Sequence, residues 1–360
     1  MKKIAVASLA AWILWLPISA PVCAQPSVVS KKIEAGGKSF QVNVVRAPLS
    51  LYRPKVLLAK GKVGATATLE EMAVGAGAAA AINGSFFDAY SKDEIKSPYH
   101  NLITGGAVAH IGDTGTTLGF AEDGGYLMER LKIRIKGGLD SNYGWPDDWY
   151  AFLLNHTAEQ ASVAAVYNSL WAGDSTPAKG TQIAVGSDYK VKESGAGPML
   201  IPKGGFVIVF SGGEEYLAKK FLSGRIVNVR WTFADAGAPR GSEDHSAAFW
   251  SKCTEAVGCG PRLVAGGAVA YKPEAEGFMS PKILTNTGAR SAVGVTAGGE
   301  ILLVTCGSAT VRQMADVMLA LGAYDAINLD GGASSGLWAD GKYATAPGRE
   351  LSNALALVAR

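Results

Sequence analysis

The sequence predicts an α+β fold: a mixed, sheet-rich single domain with few helices, in which a helix–strand–polar-loop unit is used twice. Three observations carry this. Short β-branched runs recur along the chain between Gly, Pro, Asp and Ser. Helical spacing is clearest over Thr310 to Leu321. Two distant segments share one plan, helix to strand to polar loop.

The runs that read as strands are Phe40 to Val45, Val56 to Ala59, Ala161 to Val166, Gln182 to Val185, Phe206 to Phe210, Ile226 to Trp231, Val293 to Thr296 and Ile301 to Thr305. Gly298-Gly299 between the last two is a hairpin signal. Thr310 to Leu321 reads as a helix, with Met314, Met318 and Leu321 on one face. Its flanking runs, Ile301 to Thr305 and Ala326 to Leu329, make it a strand–helix–strand unit with parallel strands. Thr68-Leu-Glu-Glu-Met-Ala73 resembles Thr310-Val-Arg-Gln-Met-Ala315. Each has a Thr N-cap with Glu71 or Gln313 three residues on, the capping-box spacing. Each runs into a Gly-Ala stop and then Ala-Ile-Asn, which makes Asn83 and Asn328 equivalent.

Lys2-Lys3, the apolar run Ile4 to Leu16, Pro17 and Val22-Cys-Ala24 read as a secretory signal over residues 1–24. The expected location is therefore periplasmic or secreted. Residues 25–37 show little pattern and are expected to be a loose leader, with the domain over 38–360. Formal net charge is +3 with no basic block, which argues against nucleic acid as a partner. No apolar run of spanning length follows the signal, so no membrane span is expected after its cleavage. Cys253 and Cys259, close in sequence in an exported chain, are expected to form a disulfide. Cys306 ends an apolar strand and reads as a small buried hydrophobe. The cysteines and four histidines offer no zinc spacing.

Ala326-Ile-Asn-Leu-Asp-Gly-Gly-Ala-Ser-Ser-Gly336 carries the chemistry best. A strand delivers Asp330 to its C-terminal end. Gly331 and Gly332 allow a sharp turn, and Ser334 and Ser335 place hydroxyls beside backbone N–H groups that suit an anionic oxygen. Ala81-Ile-Asn-Gly-Ser-Phe-Phe-Asp88 repeats the plan with Asn83, Gly84, Ser85 and Asp88. Asp330 and Asp88 are the candidate acid/base carboxylates; Asp88 reads equally as a turn residue. Arg262 and Arg290 lie in Gly-containing turns, where an Arg either clamps a phosphate bidentately or makes a structural pair. Gly332-Ala-Ser334-Ser-Gly336 matches G-x-S-x-G, but Ser334 is too far past the strand and no His follows His245, so a serine hydrolase is set aside.

With these segments in hand, the sequence resembles the phosphodiester glycosidases. The carrying motifs are Asn83-Gly-Ser-Phe-Phe-Asp88, Cys259-Gly-Pro-Arg-Leu-Val264, Ala289-Arg-Ser-Ala-Val-Gly294, Asn328-Leu-Asp-Gly-Gly-Ala-Ser-Ser335 and Ser352-Asn-Ala-Leu355, over about Phe40 to Val358. Ala333 stands where family members more often have a third glycine. The resemblance implies hydrolysis between a sugar's anomeric carbon and a phosphodiester oxygen. It assigns Arg262, Arg290 and the 331–335 backbone to the phosphate, Asp330 or Asp88 to water or the oxocarbenium ion, and Asn83 and Asn328 to substrate hydroxyls or an N-acetyl group. The expected partner is a glycan or sugar-phosphate substrate. No cofactor is required and no metal ligands are assigned, although Asp and Asn suit a hard cation such as Ca²⁺. Two other functions stay open: a non-catalytic envelope glycan-binding or exopolysaccharide-assembly protein on the same scaffold, and a metal-dependent phosphoesterase.

Overall fold

The structure is a computed structural model that describes residues 26–157, 160–177, 179–238 and 246–360. The expected signal and His245 lie outside the described residues. The strands that position the candidate site are β1 (Val28–Ala35), β2 (Lys38–Pro48), β3 (Tyr52–Leu58), β4 (Ala80–Asn83), β5 (Arg262–Ala265), β6 (Ala268–Val269), β7 (Gly288–Thr296), β8 (Glu300–Ala309), β9 (Ala323–Asn328), β10 (Leu337–Ala339), β11 (Lys342–Thr345) and β12 (Asn353–Ala359). They form a seven-stranded sheet of order β1-β2-β8-β7-β9-β5-β6 and a five-stranded sheet of order β11-β10-β4-β12-β3.

Strand alternation explains how these sheets stack. Val293, Val295, Ile301, Leu303, Ile327 and Leu329 of the larger sheet form one buried cluster with Ile82, Leu337, Leu355 and Leu357 of the smaller. On the other face of the larger sheet, Ala292, Leu302, Val304 and Ala326 pack on helix α2 (Val311–Ala320) through Val311, Met314, Ala315 and Met318. On the other face of the smaller sheet, Ala81, Ala354 and Ala356 pack on helix α1 (Leu69–Gly75) through Leu69, Met72 and Ala73. Each sheet thus carries one helix on its outer face. Most helix stability comes from such packing of one apolar face rather than from propensity.

The repeated unit is present as expected. Thr68 with Glu71, and Thr310 with Gln313, form complete capping boxes. β7 pairs antiparallel with β8 on one side and β9 on the other. β8 and β9 therefore run the same way, as predicted, but with β7 between them. Three further sheets cover the middle of the chain.

Two expectations are corrected. The stretch read as a loose leader contains β1, which pairs with β2 from Val28↔Val45 to Ala35↔Lys38. Its Ser30, Lys31 and Lys32 face solvent, as befits an edge strand, and this masks the alternation. Gly36 and Gly37, both at positive φ, close the hairpin. The Cys253–Cys259 disulfide is also overturned. Both residues lie on one strand, Cys253–Cys259, at its two ends. At about 3.3 Å per residue they stand about 20 Å apart, whereas a disulfide needs Cα atoms within about 7 Å. Both thiols are free and buried, like that of Cys306. Burial pushes the Cys253 thiol up to about 12 and that of Cys259 well above its ordinary value.

Candidate functional site

The ends of β4 and β9 are stitched together. Asn83 Nδ2 donates to the Asp330 carbonyl at 2.7 Å, and Asn83 Oδ1 accepts from Gly336 N–H at 3.0 Å. The Asp330 N–H donates to the Gly84 carbonyl at 3.0 Å. Asn328 turns the other way: its Nδ2 donates to the Gly260 and Leu329 carbonyls at 3.0 and 2.8 Å. Both N–H donors of the Asn328 amide are thus spent on holding backbone, whereas Asn83 spends one of its two. Asn328 Oδ1 and Ser335 Oγ are buried without a protein partner, a cost that a water or ligand donor would relieve.

Asp330 is half-buried just past β9. Burial raises its carboxyl from 3.8 to about 6. Opposing that rise are the Ser334 hydroxyl, the Gly331 N–H at 2.8 Å from Oδ1, and the nearby charges of Arg349 and Lys282. Near neutrality it is an ionised carboxylate with basicity matched to proton transfer. Gly332 has φ 63°, which a side chain would strain. The expected nest of N–H groups is partly consumed: Gly331 serves Asp330, while Ser334 and Ser335 N–H groups donate to the Gly331 and Gly332 carbonyls.

Arg290 is 6% exposed, an unusual place for a cation. Its Nε donates to Ala309 O at 3.0 Å, and its Nη2 to Lys282 O at 3.0 Å and Asn286 O at 2.5 Å. A β-carbon built on Gly331 would stand 3.3 Å from Arg290 Nη1, so the guanidinium borders the loop that follows Asp330. Among the described residues Arg290 forms no ion pair with a carboxylate. Burial lowers its pKa, with the charge of Asp330 among the opposing effects. A buried guanidinium held by carbonyls, with one edge toward a loop, is prepared for an anion.

The other candidates are placed differently. Arg262 N–H donates to Glu276 Oε1 at 2.8 Å and its side chain donates to the Met128 carbonyl. It braces the Glu276 segment. Asp88 Oδ1 accepts from Ser91 N–H at 3.1 Å, the turn arrangement weighed above. Ser85 N–H donates to Asn353 Oδ1 at 2.8 Å, and Ser85 Oγ lies 3.3 Å from His100 Nδ1. Burial pushes His100 down to about 3, so the ring is neutral. Among the described residues no group of three or more His, Cys, Asp or Glu side chains is arranged to hold a metal ion.

Sequence reasoning missed Lys282, Tyr90 and Arg349. Arg349 lies over the Tyr90 ring at 4.6 Å and donates to its hydroxyl at 2.8 Å. Lys282 Nζ is 5.5 Å from the same ring centre. No motif marks them; their only sequence signal is that Arg349 shortly precedes the Ser352-Asn-Ala-Leu355 segment.

The phosphodiester glycosidase family model matches residues 179–358, which include Arg290, Asp330 and Arg349 but not the Asn83–Asp88 loop. A hypothetical protein from Synechocystis superposes with TM-score 0.79 at 24% identity, covering 92% of this chain and 62% of that one. This chain therefore spans less than two thirds of that protein's length. A putative exported protein from Burkholderia pseudomallei K96243 superposes with TM-score 0.72 at 21% identity, covering 89% and 74%. These two likenesses show the fold. The zebrafish N-acetylglucosamine-1-phosphodiester α-N-acetylglucosaminidase catalytic domain, auto-inhibited by its pro-peptide, gives TM-score 0.49 at 13% identity over 95% and 86%. No curated protein matches the sequence.

Proposed function

The chain belongs to the phosphodiester glycosidase family, and from that premise we propose that it is an exported hydrolase that cleaves the bond between a sugar's anomeric carbon and a phosphodiester oxygen. The observation that carries the reading is the pairing of Asp330, raised to about 6, with Arg290, a buried cation that has no carboxylate partner among the described residues. Ionised Asp330 takes a proton from water as the water oxygen bonds to the anomeric carbon. The carbon–oxygen bond breaks with its electron pair passing to the phosphate, which leaves as a phosphomonoester. Such a leaving group is already stable as an anion, so one carboxylate suffices and charge stabilisation by Arg290 matters more than a general acid. Asp88, engaged by Ser91, is the poorer candidate.

Export rests on the signal-like residues 1–24. Among the described residues no helix is long and apolar enough to cross a membrane.

The test is sugar release from synthetic glycosyl 1-phosphodiesters by wild type and Asp330→Asn, with and without chelator. Chelator-insensitive release by wild type, lost in the variant, supports the reading. Binding of the phosphodiester without release would favour the glycan-binding alternative, and release abolished by chelator would favour the metal-dependent one.

A further inference from the structure

Arg290 is the phosphate holder in the proposed function, yet two more cations act on the same carboxylate, Asp330. Arg349 and Lys282 share the single ring of Tyr90, which is 77% exposed. Among the described residues neither forms an ion pair with a carboxylate. The neighbouring Glu350 carboxylate instead accepts from Thr66 Oγ1 at 2.6 Å.

All three residues are tied to the catalytic loops. Gly348, beside Arg349, donates its N–H to the Ala333 carbonyl at 2.7 Å. Lys282 gives its carbonyl to Arg290 at 3.0 Å, and Ser280 caps its short helix. The Tyr90 loop is turned by Asp88 through Ser91. The placement is thus built by the fold, and Arg349 and Lys282 both act electrostatically on Asp330.

Charge arithmetic then asks for an occupant. Arg290, Lys282 and Arg349 face one carboxylate, Asp330. A single phosphodiester monoanion leaves these side chains one positive charge in excess, and one further negative group balances it. Cations crowded around one carboxylate draw in such a group from solution. Lys282 Nζ and Arg349 are held over Tyr90 while Arg290 Nη1 borders Gly331, so a group bound by the first two lies beyond the phosphate that Arg290 holds.

We propose that Lys282 and Arg349, held over Tyr90, form a second anion subsite on the aglycone side, so that the preferred substrate carries a further phosphate or carboxylate beyond the scissile phosphodiester. A chain of sugars joined through phosphodiesters has this chemistry; so does a single aglycone with its own phosphate. The inference rests on the phosphodiester glycosidase reading for its direction, but its anion site is testable without turnover.

Calorimetric binding of inorganic phosphate and of tripolyphosphate is measured for wild type, Lys282→Ala, Arg349→Ala and Arg290→Ala, at one ionic strength. The expected preference of wild type for tripolyphosphate is at least about tenfold, one charge-assisted contact's worth. It falls to within about threefold in either rim variant, whereas Arg290→Ala weakens both ligands. Arg349→Lys, which keeps the charge and loses the fork, restores the preference in part. A wild-type ratio near one, or a ratio that survives both rim substitutions, overturns the subsite. A second arm compares kcat/KM for glycosyl phosphodiesters with a methyl or a phosphate-bearing aglycone. Faster turnover of the charged one, with the advantage lost in Arg349→Ala, supports the proposal and identifies the group as substrate. Equal turnover of both sinks the subsite and leaves the hydrolase reading standing. Rim-dependent anion binding with no turnover of either sinks the hydrolase reading and leaves the subsite.

Discussion

Thr68 and Thr310 open their helices with the same capping box, α1 and α2 each cover the outside of one sheet, and β4 and β9 both end on a buried asparagine. The loops that follow are used differently. After β9 the acid comes two residues past the strand end, at Asp330, where burial raises it to about 6. After β4 it comes five residues on, at Asp88, where it closes a turn with Ser91. Asn83 holds the neighbouring loop by two side-chain bonds, whereas Asn328 holds its own strand end and the Gly260 segment. On the proposed function one unit supplies chemistry and the other supplies the frame. Distance from the strand end decides which, because only a residue still packed by the sheets loses enough water to shift its proton affinity.

The sharpest way to break this comparison is to neutralise each acid in turn. Asp330→Asn should cut kcat on a glycosyl phosphodiester by about 10²–10⁴, and Asp88→Asn by less than about tenfold, since Asn still accepts in such a turn. Comparable losses in both would end the division of roles. Next in size are the arginines. Arg290→Lys should cost about 1.5–3 kcal/mol of transition-state stabilisation on phosphodiesters, and much less on aryl glycosides, which offer no phosphate to clamp. Arg262→Lys should leave the ratio of the two substrates unchanged; if it shifts the ratio as Arg290→Lys does, Arg262 also reads phosphate.

A pH series sharpens the contrast further. If ionised Asp330 is the base, kcat/KM should fall below about pH 6 in wild type. Its folded carboxyl is raised above 3.8, so the protonated form is favoured in the fold. The stability this contributes is present at low pH and lost as pH rises from 3.8 through about 6. Asp330→Asn should therefore raise Tm more at pH 8 than at pH 4; an equal change at both would show that burial does not act on this group. The smallest effects are the caps. Thr68→Ala and Thr310→Ala should each lower stability by about 1 kcal/mol in denaturant unfolding, confirming that the units are alike where they begin.

The helix and its flanking strands were legible because Met314, Met318 and the capping box are local signals. The Asn-x-Asp-Gly-Gly loop was legible because strand, acid and glycines are contiguous from Asn328 to Gly332. β1 escaped because an edge strand with Ser30, Lys31 and Lys32 outward has no apolar alternation to read. The disulfide expectation failed because Cys253 and Cys259 are the two ends of one extended strand, about 20 Å apart and beyond disulfide reach. Lys282, Tyr90 and Arg349 could not be seen in advance: they come from three separate segments, and only packing brings them over one ring.

On the proposed function Asp330 and Arg290 act at a carbon–oxygen bond rather than a phosphorus–oxygen bond. Turnover of a glycosyl 1-phosphodiester in ¹⁸O-labelled water, followed by mass spectrometry of the released phosphomonoester, tests it most directly. The account predicts a phosphomonoester without label, because water attacks the anomeric carbon. Label in the phosphomonoester would mean attack at phosphorus and would contradict it.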